Sequence, residues 1–233
     1  EELRQKWGVE TGQLWQLGGH RLLCGDSTLA EDVARVMGSE KADLLLTDPP
    51  YGIGRDKGMG GKGVAGLCKR NPKQYAGGWD SDRPTDAVSK SLAISKLAII
   101  WGCNYYTDVL PLKSKWLIWD KEQTMPSYSD AEIAWTNLDG VSVKMFRYSG
   151  NGLLAKEKDR FHPTQKPVAL FEWCLNQAED VQTVYEPFSG SGTTLIACEN
   201  LNRRCRAIEI SPAYVAVALE RWHQHTGRTP VRV

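Results

Sequence analysis

The stretch TVYEPFSGSGTTLIACENLNRRCRAIEI, residues 183–210, decides the fold. Residues 183–188 predict a short buried strand, 193–201 predict a helix and 206–210 predict a second strand. A strand that passes through a glycine turn into a helix and then into another strand is typical of a parallel sheet covered by helices on both faces. The sequence therefore predicts an α/β fold with a mostly parallel sheet.

The flanking sequence continues this alternation. Ser211 and Pro212 predict the start of a further helix over residues 214–223, since serine caps helices and proline favours their first turn. Antiparallel pairing is expected in the middle of the chain, where helices become sparse. Upstream of residue 183, hydrophobic patterning predicts helices at 30–37, 86–96 and 167–178, and strands at 13–16, 20–23, 43–47, 98–101, 115–119, 132–136 and 142–148.

Length and composition indicate a globular protein. A chain of 233 residues with 41% hydrophobic and 24% charged residues predicts one catalytic domain over residues 1–233. The sequence has neither a long apolar run nor a signal-peptide pattern, so a cytoplasmic protein without a membrane partner is expected. Six scattered cysteines without a C-x-x-C pair predict no metal site.

The net charge of +1 does not indicate a nucleic-acid partner, but the basic residues are clustered. The basic residues are concentrated in a Gly-rich loop at residues 52–80 and in a second run at residues 144–166, and both are candidate DNA contacts. Solvated surface loops are the alternative for each run taken alone. The residues assigned to DNA binding are Arg55, Lys57, Lys62, Lys69, Arg70, Lys73, Lys144 and Arg147.

The tetrapeptide Asp48-Pro49-Pro50-Tyr51 follows the predicted strand 43–47 and suits chemistry on an amino group. The amino group of a nucleobase is a poor nucleophile because its lone pair is delocalised, so an enzyme must accept its N–H hydrogens. Asp48 offers a carboxylate acceptor, and the carbonyl of Pro49 is a rigid second acceptor because proline fixes φ. Tyr51 is placed to stack on an extruded base. A structural Pro-Pro turn with Asp48 as its acceptor is the alternative.

A second motif, EPFSGSGTT at residues 186–194, is followed by Glu209 at the end of the next predicted strand. Glycines allow a nucleotide-like ligand to approach the backbone, and an acid that ends the neighbouring strand can bind ribose hydroxyls. Glu186 places a carboxylate where a dinucleotide site needs room for a pyrophosphate. A carboxylate suits the ammonium of S-adenosylmethionine, so the pattern favours this cofactor over NAD. A turn that only packs a helix on the sheet is the alternative.

Together these motifs resemble the amino-methyltransferases that act on DNA. Four motifs occur in the order of the family's beta arrangement, a permutation of the usual methyltransferase sheet. The resemblance covers residues 12–225 and implies a Rossmann-like, S-adenosylmethionine-dependent enzyme that methylates N6 of adenine in a flipped-out base of double-stranded DNA. The motifs are Gly25-Asp26-Ser27, Asp48-Pro49-Pro50-Tyr51, His162-Pro163-Thr164-Gln165-Lys166-Pro167 and Phe188-Ser189-Gly190-Ser191-Gly192-Thr193-Thr194.

The resemblance also implies the site residues and partners. The catalytic residues are Asp48, Pro49, Pro50 and Tyr51. The acid of the Gly-Asp-Ser turn is expected to contact the adenine of the cofactor. The family suggests a homodimer and a cognate restriction endonuclease as partners. The cofactor set is Asp26, Ser27, Asp48, Gln165, Lys166, Pro167, Glu186, Phe188, Ser189, Gly190, Ser191, Gly192, Thr193 and Glu209.

The chain departs from the family pattern in two places. The family commonly has Asp at the position of Glu186, so the contact with the ammonium is displaced by one methylene. The region expected to recognise DNA sequence, residues 135–161, is short, so recognition is expected to be shared with the loop 52–80, where Tyr75 and Trp79 could stack on bases.

Other functions are alternatives for the same motifs. Cytosine N4 is the alternative target, although Ser more often replaces Asp48 in those enzymes. RNA or a protein glutamine is a second alternative substrate, for which Asn is more usual at that position. A nucleotide-binding or DNA-binding module without catalysis is a third alternative, but it gives no reason for both motifs to be intact. The sequence lacks a Pro-Cys motif, which argues against methylation at carbon 5 of cytosine.

Overall fold

The structure is a computed structural model that describes residues 1–53, 82–123, 129–149 and 165–233. Its helices are α1 (Glu2–Trp7), α2 (Ala30–Met37), α3 (Thr85–Ala93), α4 (Val168–Asn176), α5 (Thr193–Asn200) and α6 (Pro212–Thr226). Its strands are β1 (Leu14–Leu17), β2 (His20–Cys24), β3 (Ala42–Thr47), β4 (Ser95–Trp101), β5 (Trp116–Asp120), β6 (Ala131–Thr136), β7 (Lys144–Arg147), β8 (Thr183–Glu186), β9 (Arg204–Glu209) and β10 (Val231–Arg232). A short 3-10 helix covers Cys103–Tyr105.

The strands form one sheet in the order β10-β1-β2-β9-β8-β3-β4-β6-β5-β7. The central strands β2, β9, β8, β3 and β4 are parallel to one another. Antiparallel strands extend the sheet on both sides, where β1 pairs with β2 and β10 and β6 pairs with β4 and β5. The predicted α/β fold with a mostly parallel sheet is confirmed.

Alternating side chains of the central strands fill two cores. On β3, Leu44 and Leu46 face the core that α4, α5 and α6 cover, whereas Leu45 faces the core beneath α2 and α3. All three leucines are fully buried, and each contributes about 2 kcal/mol of hydrophobic stabilisation. The end of β3 is therefore held rigidly by packing on both faces.

The observed elements differ from the predicted ones at their boundaries. Helix α3 ends at Ala93, three residues before the predicted end, because Ser95 already pairs with Ala42 of β3. Pro167 is the N-cap of α4 instead of its first residue. Helix α1 and strand β10 were not predicted from the sequence.

The connections around β8 and β3 create a crevice at their carboxyl ends. From β3 the chain passes through α3 to β4 on one side, and from β8 it passes through α5 to β9 on the other. Helices α3 and α5 lie on opposite faces of the sheet. Ligands of open parallel sheets bind at this kind of switch point.

Within the described residues, no helix combines the length and the apolar character needed to cross a membrane.

Candidate active site

The tetrapeptide Asp48-Pro49-Pro50-Tyr51 lies at the crevice, directly after β3. Neither proline has an N–H to continue the ladder, so the strand ends there and the chain turns. The two oxygens of Asp48 accept hydrogen bonds from different donors, Oδ1 from the hydroxyl of Tyr51 at 2.6 Å and Oδ2 from Nζ of Lys166 at 2.5 Å. The carbonyl of Pro50 accepts a hydrogen bond from the hydroxyl of Tyr106. The acceptor groups of this turn are thus held in fixed directions.

The ring of Tyr51 is stacked on Tyr105, with 4.6 Å between centroids and 14° between planes. Gly102, at φ +65°, precedes the 3-10 helix that carries Tyr105. A Cβ at Gly102 would lie 2.1 Å from a ring carbon of Tyr51, so only glycine leaves room for this stack. Burial, followed by the charge of Asp48, raises the pKa of Tyr51 well above its ordinary value, which keeps its hydroxyl protonated as a donor.

Lys166 contacts a second carboxylate besides Asp48. Its ammonium is 2.9 Å from Oε2 of Glu132 on β6, and its side chain is only 6% exposed. The other oxygen of Glu132 pairs with Nζ of Lys121 at 2.6 Å. Two carboxylates and two ammonium groups therefore alternate through the wall of the crevice, in the order Asp48, Lys166, Glu132 and Lys121.

Glu186 ends β8 beside the tetrapeptide and is 2% exposed. Its carboxylate accepts hydrogen bonds from the hydroxyls of Thr47 and Thr194, at 2.6 and 2.7 Å, and from the amide of Phe188 at 3.1 Å. Burial raises the pKa of Glu186 to about 7, and the three hydrogen bonds limit the shift. Among the described residues, no cationic side chain forms a salt bridge with it, so a cationic ligand would match this carboxyl group.

Glu209 ends β9, and its carboxylate holds the Gly-rich loop. Its Oε2 accepts the amide hydrogen of Gly190 at 2.7 Å, and Oε1 accepts that of Ser211 at 2.8 Å. Burial raises the pKa of Glu209. Gly192, the N-cap of α5 at φ +80°, packs so closely on α6 that a Cβ would lie 2.8 Å from Cβ of Ala218. This contact positions the turn between β8 and α5.

The segment that precedes α4 docks onto the same loop. The side chain of Gln165 accepts a hydrogen bond from Ser191 at 3.1 Å, and the carbonyl of Lys166 accepts a longer one from Thr193 at 3.4 Å. Pro167 is buried at the start of α4. The structure thus brings the segment 165–167 together with the Gly-rich loop, as predicted. The side chain of Lys166, however, points away from this loop to Asp48.

The turn Gly25-Asp26-Ser27 follows β2, next to Glu209 in the sheet. The amide of Gly25 donates to the carbonyl of Glu209 at 3.0 Å. Ser27 is buried, whereas Asp26 is half-buried and its Oδ1 accepts hydrogen bonds from the amide and hydroxyl of Thr28. This acid therefore lies at the carboxyl edge with the acids of β8 and β9.

The predicted DNA contacts are mostly outside the described residues. Lys144 and Arg147 begin and end β7, the outermost strand on one side of the sheet. Strand β7 runs parallel to β5 and hence to β3, so Arg147 lies at the carboxyl edge and Lys144 at the opposite end. Arg147 also lies 3.4 Å from Asp120. The predicted DNA contacts outside the described residues are Arg55, Lys57, Lys62, Lys69, Arg70, Lys73, Tyr75 and Trp79. The start of the motif before α4, His162-Pro163-Thr164, also lies outside them.

Sequence reasoning missed several residues that shape the site. The sequence assigns no role to Thr47 at the end of the predicted strand 43–47, to Thr194 in the Gly-rich motif or to Tyr105. Glu132 could have been noticed as an acid in the otherwise apolar strand AEIAWT. Its partner Lys166 is 34 residues later in the sequence, so only the folded chain shows the pair.

A parallel sheet with an Asp-Pro-Pro-Tyr turn and a Gly-rich turn at one crevice defines the class of S-adenosylmethionine-dependent amino-methyltransferases. The family model described as DNA methylase, for N6 and N4 enzymes, matches residues 104–220, half of the chain. The chain belongs to this family, and its cofactor is S-adenosylmethionine.

Individual relatives are similar over different lengths. The Type II methyltransferase M.HpaI of Haemophilus parainfluenzae is 25% identical over 238 residues, which cover 86% of this chain and 73% of M.HpaI. M2.MboI of Moraxella bovis is 30% identical over 129 residues, 54% of this chain and 45% of M2.MboI. The chain thus spans less than half of the second relative.

Solved structures show the same fold at lower identity. The complex of M1.HpyAVI with SAM is 21% identical with a TM-score of 0.52, over 87% of this chain and 99% of that one. The PvuII DNA methyltransferase, named as cytosine-N4-specific, is 15% identical with a TM-score of 0.54, over 90% and 88%.

The residues of the crevice fit S-adenosylmethionine. Ser189 Oγ is buried in the Gly-rich loop without a hydrogen-bond partner among the described residues, so it is available to a ligand. A Cβ on Gly190 would meet no atom within 4 Å, which indicates open space beside the loop. Buried carboxyl groups at Glu186 and Glu209 suit an ammonium and ribose hydroxyls, whereas a pyrophosphate would be repelled.

Proposed function

We propose that this chain transfers a methyl group from S-adenosylmethionine to N6 of adenine in a base extruded from double-stranded DNA. The observation that carries the proposal is the Asp48 carboxylate, fixed at the end of β3 beside the acids that end β8 and β9. It stands where an amino group and a cofactor could meet. The nucleotide must leave the duplex because the amino group cannot reach this crevice while it is stacked.

When bound, S-adenosylmethionine supplies a methyl group on a positively charged sulfur, ready for direct in-line transfer. Asp48 accepts an N–H of the target amino group and directs the nitrogen lone pair towards that methyl group. The new N–CH3 bond forms as the S–CH3 bond breaks, and the positive charge passes to the nitrogen. The carboxylate of Asp48 stabilises this charge, and the surplus proton of the methylated nitrogen then passes to solvent water.

Three acids and the Gly-rich loop hold the cofactor in this proposal. Glu186 binds the ammonium, Glu209 binds the ribose hydroxyls and Asp26 contacts the adenine. Support comes from their positions after β8, β9 and β2, which are neighbouring strands with the same direction. Because Glu209 already holds Gly190, it also shapes the loop on which the cofactor rests.

Double-stranded DNA is the proposed substrate, and a cognate restriction endonuclease is a proposed partner. The chain is also proposed to form a homodimer. The DNA description of the matching family and the Type II names of the relatives support the first two. The basic residues of 52–80 and the exposed Arg147 at the carboxyl edge are the proposed phosphate contacts.

Incubation with labelled S-adenosylmethionine and unmethylated duplex DNA tests the function. We expect label in DNA and N6-methyladenine after digestion to nucleosides. N4-methylcytosine would replace adenine by cytosine as the target, and label in RNA or protein would refute a DNA substrate. DNA binding without any transfer would identify a non-catalytic module.

A further inference from the structure

The Lys166 side chain is buried among charged groups of three different elements. It faces Oδ2 of Asp48 after β3 and Oε2 of Glu132 on β6, at 2.5 and 2.9 Å. Its Nζ also lies 3.5 Å from the hydroxyl of Tyr51 and 6.0 Å from the centroid of that ring. The ammonium thus contacts the catalytic tetrapeptide at two residues, whereas the hydrogen bond from Lys166 to the Gly-rich loop is made by its backbone carbonyl.

Both charges of the Lys166–Glu132 pair persist in the folded protein. Burial opposes ionisation of Glu132, but Lys166 and Lys121 hold its pKa down at about 2. Burial likewise opposes the charge of Lys166, but Asp48 and Glu132 raise its pKa well above the ordinary value. The arrangement therefore favours a charged ammonium opposite charged carboxylates in the crevice wall.

We propose that Lys166 is a positioning residue that holds the Asp48 carboxylate in the orientation needed to accept the N–H of the target amine, and that Glu132 anchors Lys166. This inference rests on the proposed function and assigns Lys166 to the amine instead of the cofactor.

The hydrogen-bonding capacity of Asp48 supports this role. Each carboxylate oxygen has two lone pairs, and the structure uses one on Oδ1 for Tyr51 and one on Oδ2 for Lys166. Within the part of the chain that the structure describes, no other donor bonds to these oxygens, so each keeps a lone pair for the target amine. Since both oxygens are tied to neighbours, the carboxylate cannot rotate away when the amine arrives. Misplacement of a reacting group by about 1 Å can cost about 100-fold in rate.

The test compares Lys166→Met with the double variant Lys166→Met/Glu132→Gln in the full chain. The single variant removes the ammonium that faces Asp48 and leaves Lys121 as the salt-bridge partner of Glu132. This variant is at risk of not folding, because an unpaired buried charge is strongly destabilising. The double variant removes one charge of each sign and keeps the cluster neutral. Circular dichroism and thermal melts establish that it is folded.

We expect the folded double variant to transfer methyl groups about 100-fold more slowly in a single turnover at saturating DNA and cofactor. Its Kd for S-adenosylmethionine, measured by calorimetry, should equal that of the wild type. Lys96→Met is the matched control because Lys96 pairs with Asp43 at 2.8 Å near the opposite end of the same strand β3. This control should keep both the rate and the Kd.

Two results would overturn the proposal. An unchanged single-turnover rate in the folded double variant would show that Asp48 needs no help from Lys166. A weakened Kd with a normal rate at saturating cofactor would return Lys166 to the cofactor site. In both cases an active wild type leaves the proposed function intact, whereas a wild type that transfers no methyl group to DNA refutes the function and the inference together.

Discussion

Glu186 makes the folded protein hold a proton that the unfolded chain releases. Its pKa is about 7 in the folded protein, against an ordinary value of 4.5, because the carboxyl group is buried. The native state therefore binds more protons than the unfolded state between these two values. Stability without cofactor must fall as the pH rises through this window, and Glu186→Gln should remove that loss.

The size of the effect follows from the two pKa values of Glu186, about 7 in the folded protein and 4.5 ordinarily, because one pKa unit corresponds to about 1.4 kcal/mol. The full difference is about 3.5 kcal/mol, and about 2–3 kcal/mol of it develops between about pH 5 and about pH 8. A neutral glutamine cannot titrate and keeps a carbonyl that can accept from Thr47 or Thr194. The variant should therefore gain about 2–3 kcal/mol relative to the wild type over this range.

Urea unfolding of the cofactor-free protein at several pH values measures this gain. Glu179→Gln, at an exposed glutamate just before β8, is the control and should follow the wild type at every pH. Parallel stability curves for the wild type and Glu186→Gln would show that Glu186 is already ionised in the native state. Such curves would refute the argument that burial without a neighbouring cation raises the pKa of Glu186.

The remaining predictions concern the function. Asp48→Ala should lower methyl transfer by about 10²- to 10³-fold with a nearly unchanged cofactor Kd, and full activity would remove Asp48 from the mechanism. Glu209→Ala should weaken cofactor binding by about 1.5–3 kcal/mol for each lost charge-assisted hydrogen bond, and calorimetry showing the wild-type Kd would contradict this. Replacement of Lys69 and Arg70 by alanine should weaken binding to all DNA sequences and reduce the slope of log K against log salt by about 0.9 per lost phosphate contact. Isotherms at several salt concentrations measure it, and relaxed specificity at single positions would instead indicate base recognition.

The central sheet was predictable because its determinants are local. The apolar run of β3 and the spacing of apolar residues in α2 can be recognised without knowing their partners in the fold. Helix α2 matches its predicted bounds at Ala30 and Met37. The predicted end of α3 was wrong because the apolar spacing of that helix continues into β4. Pairing with β3 makes these residues a strand instead of a helix. Strand β10 has two residues and depends on β1, so local sequence carries little signal for it.

The meeting of the two motifs at one crevice was predictable from the sequence, but the contacts within the candidate site were not. The acids at the ends of β8 and β9 follow from the strand pattern, since parallel strands end at one edge. The pairing of Lys166 with Asp48 joins residues 118 positions apart, and the stack of Tyr51 on Tyr105 requires the space left by Gly102. Such contacts depend on the tertiary arrangement, which a single sequence does not encode in any local pattern.

The strand order has a consequence for biosynthesis. Strands β2 and β3 are consecutive in the chain, yet β9 and β8 separate them in the sheet, and the contact between Thr47 and Glu186 closes a loop of 139 residues. Contacts this distant in sequence form slowly because loop closure must precede them. During synthesis, the edges of β2 and β3 that pair with β9 and β8 stay unpaired until residues 183–209 have left the ribosome. Unpaired strand edges of this kind are prone to aggregation. A nascent chain that stops before residue 183 would carry the Asp-Pro-Pro-Tyr turn without the strands that face it.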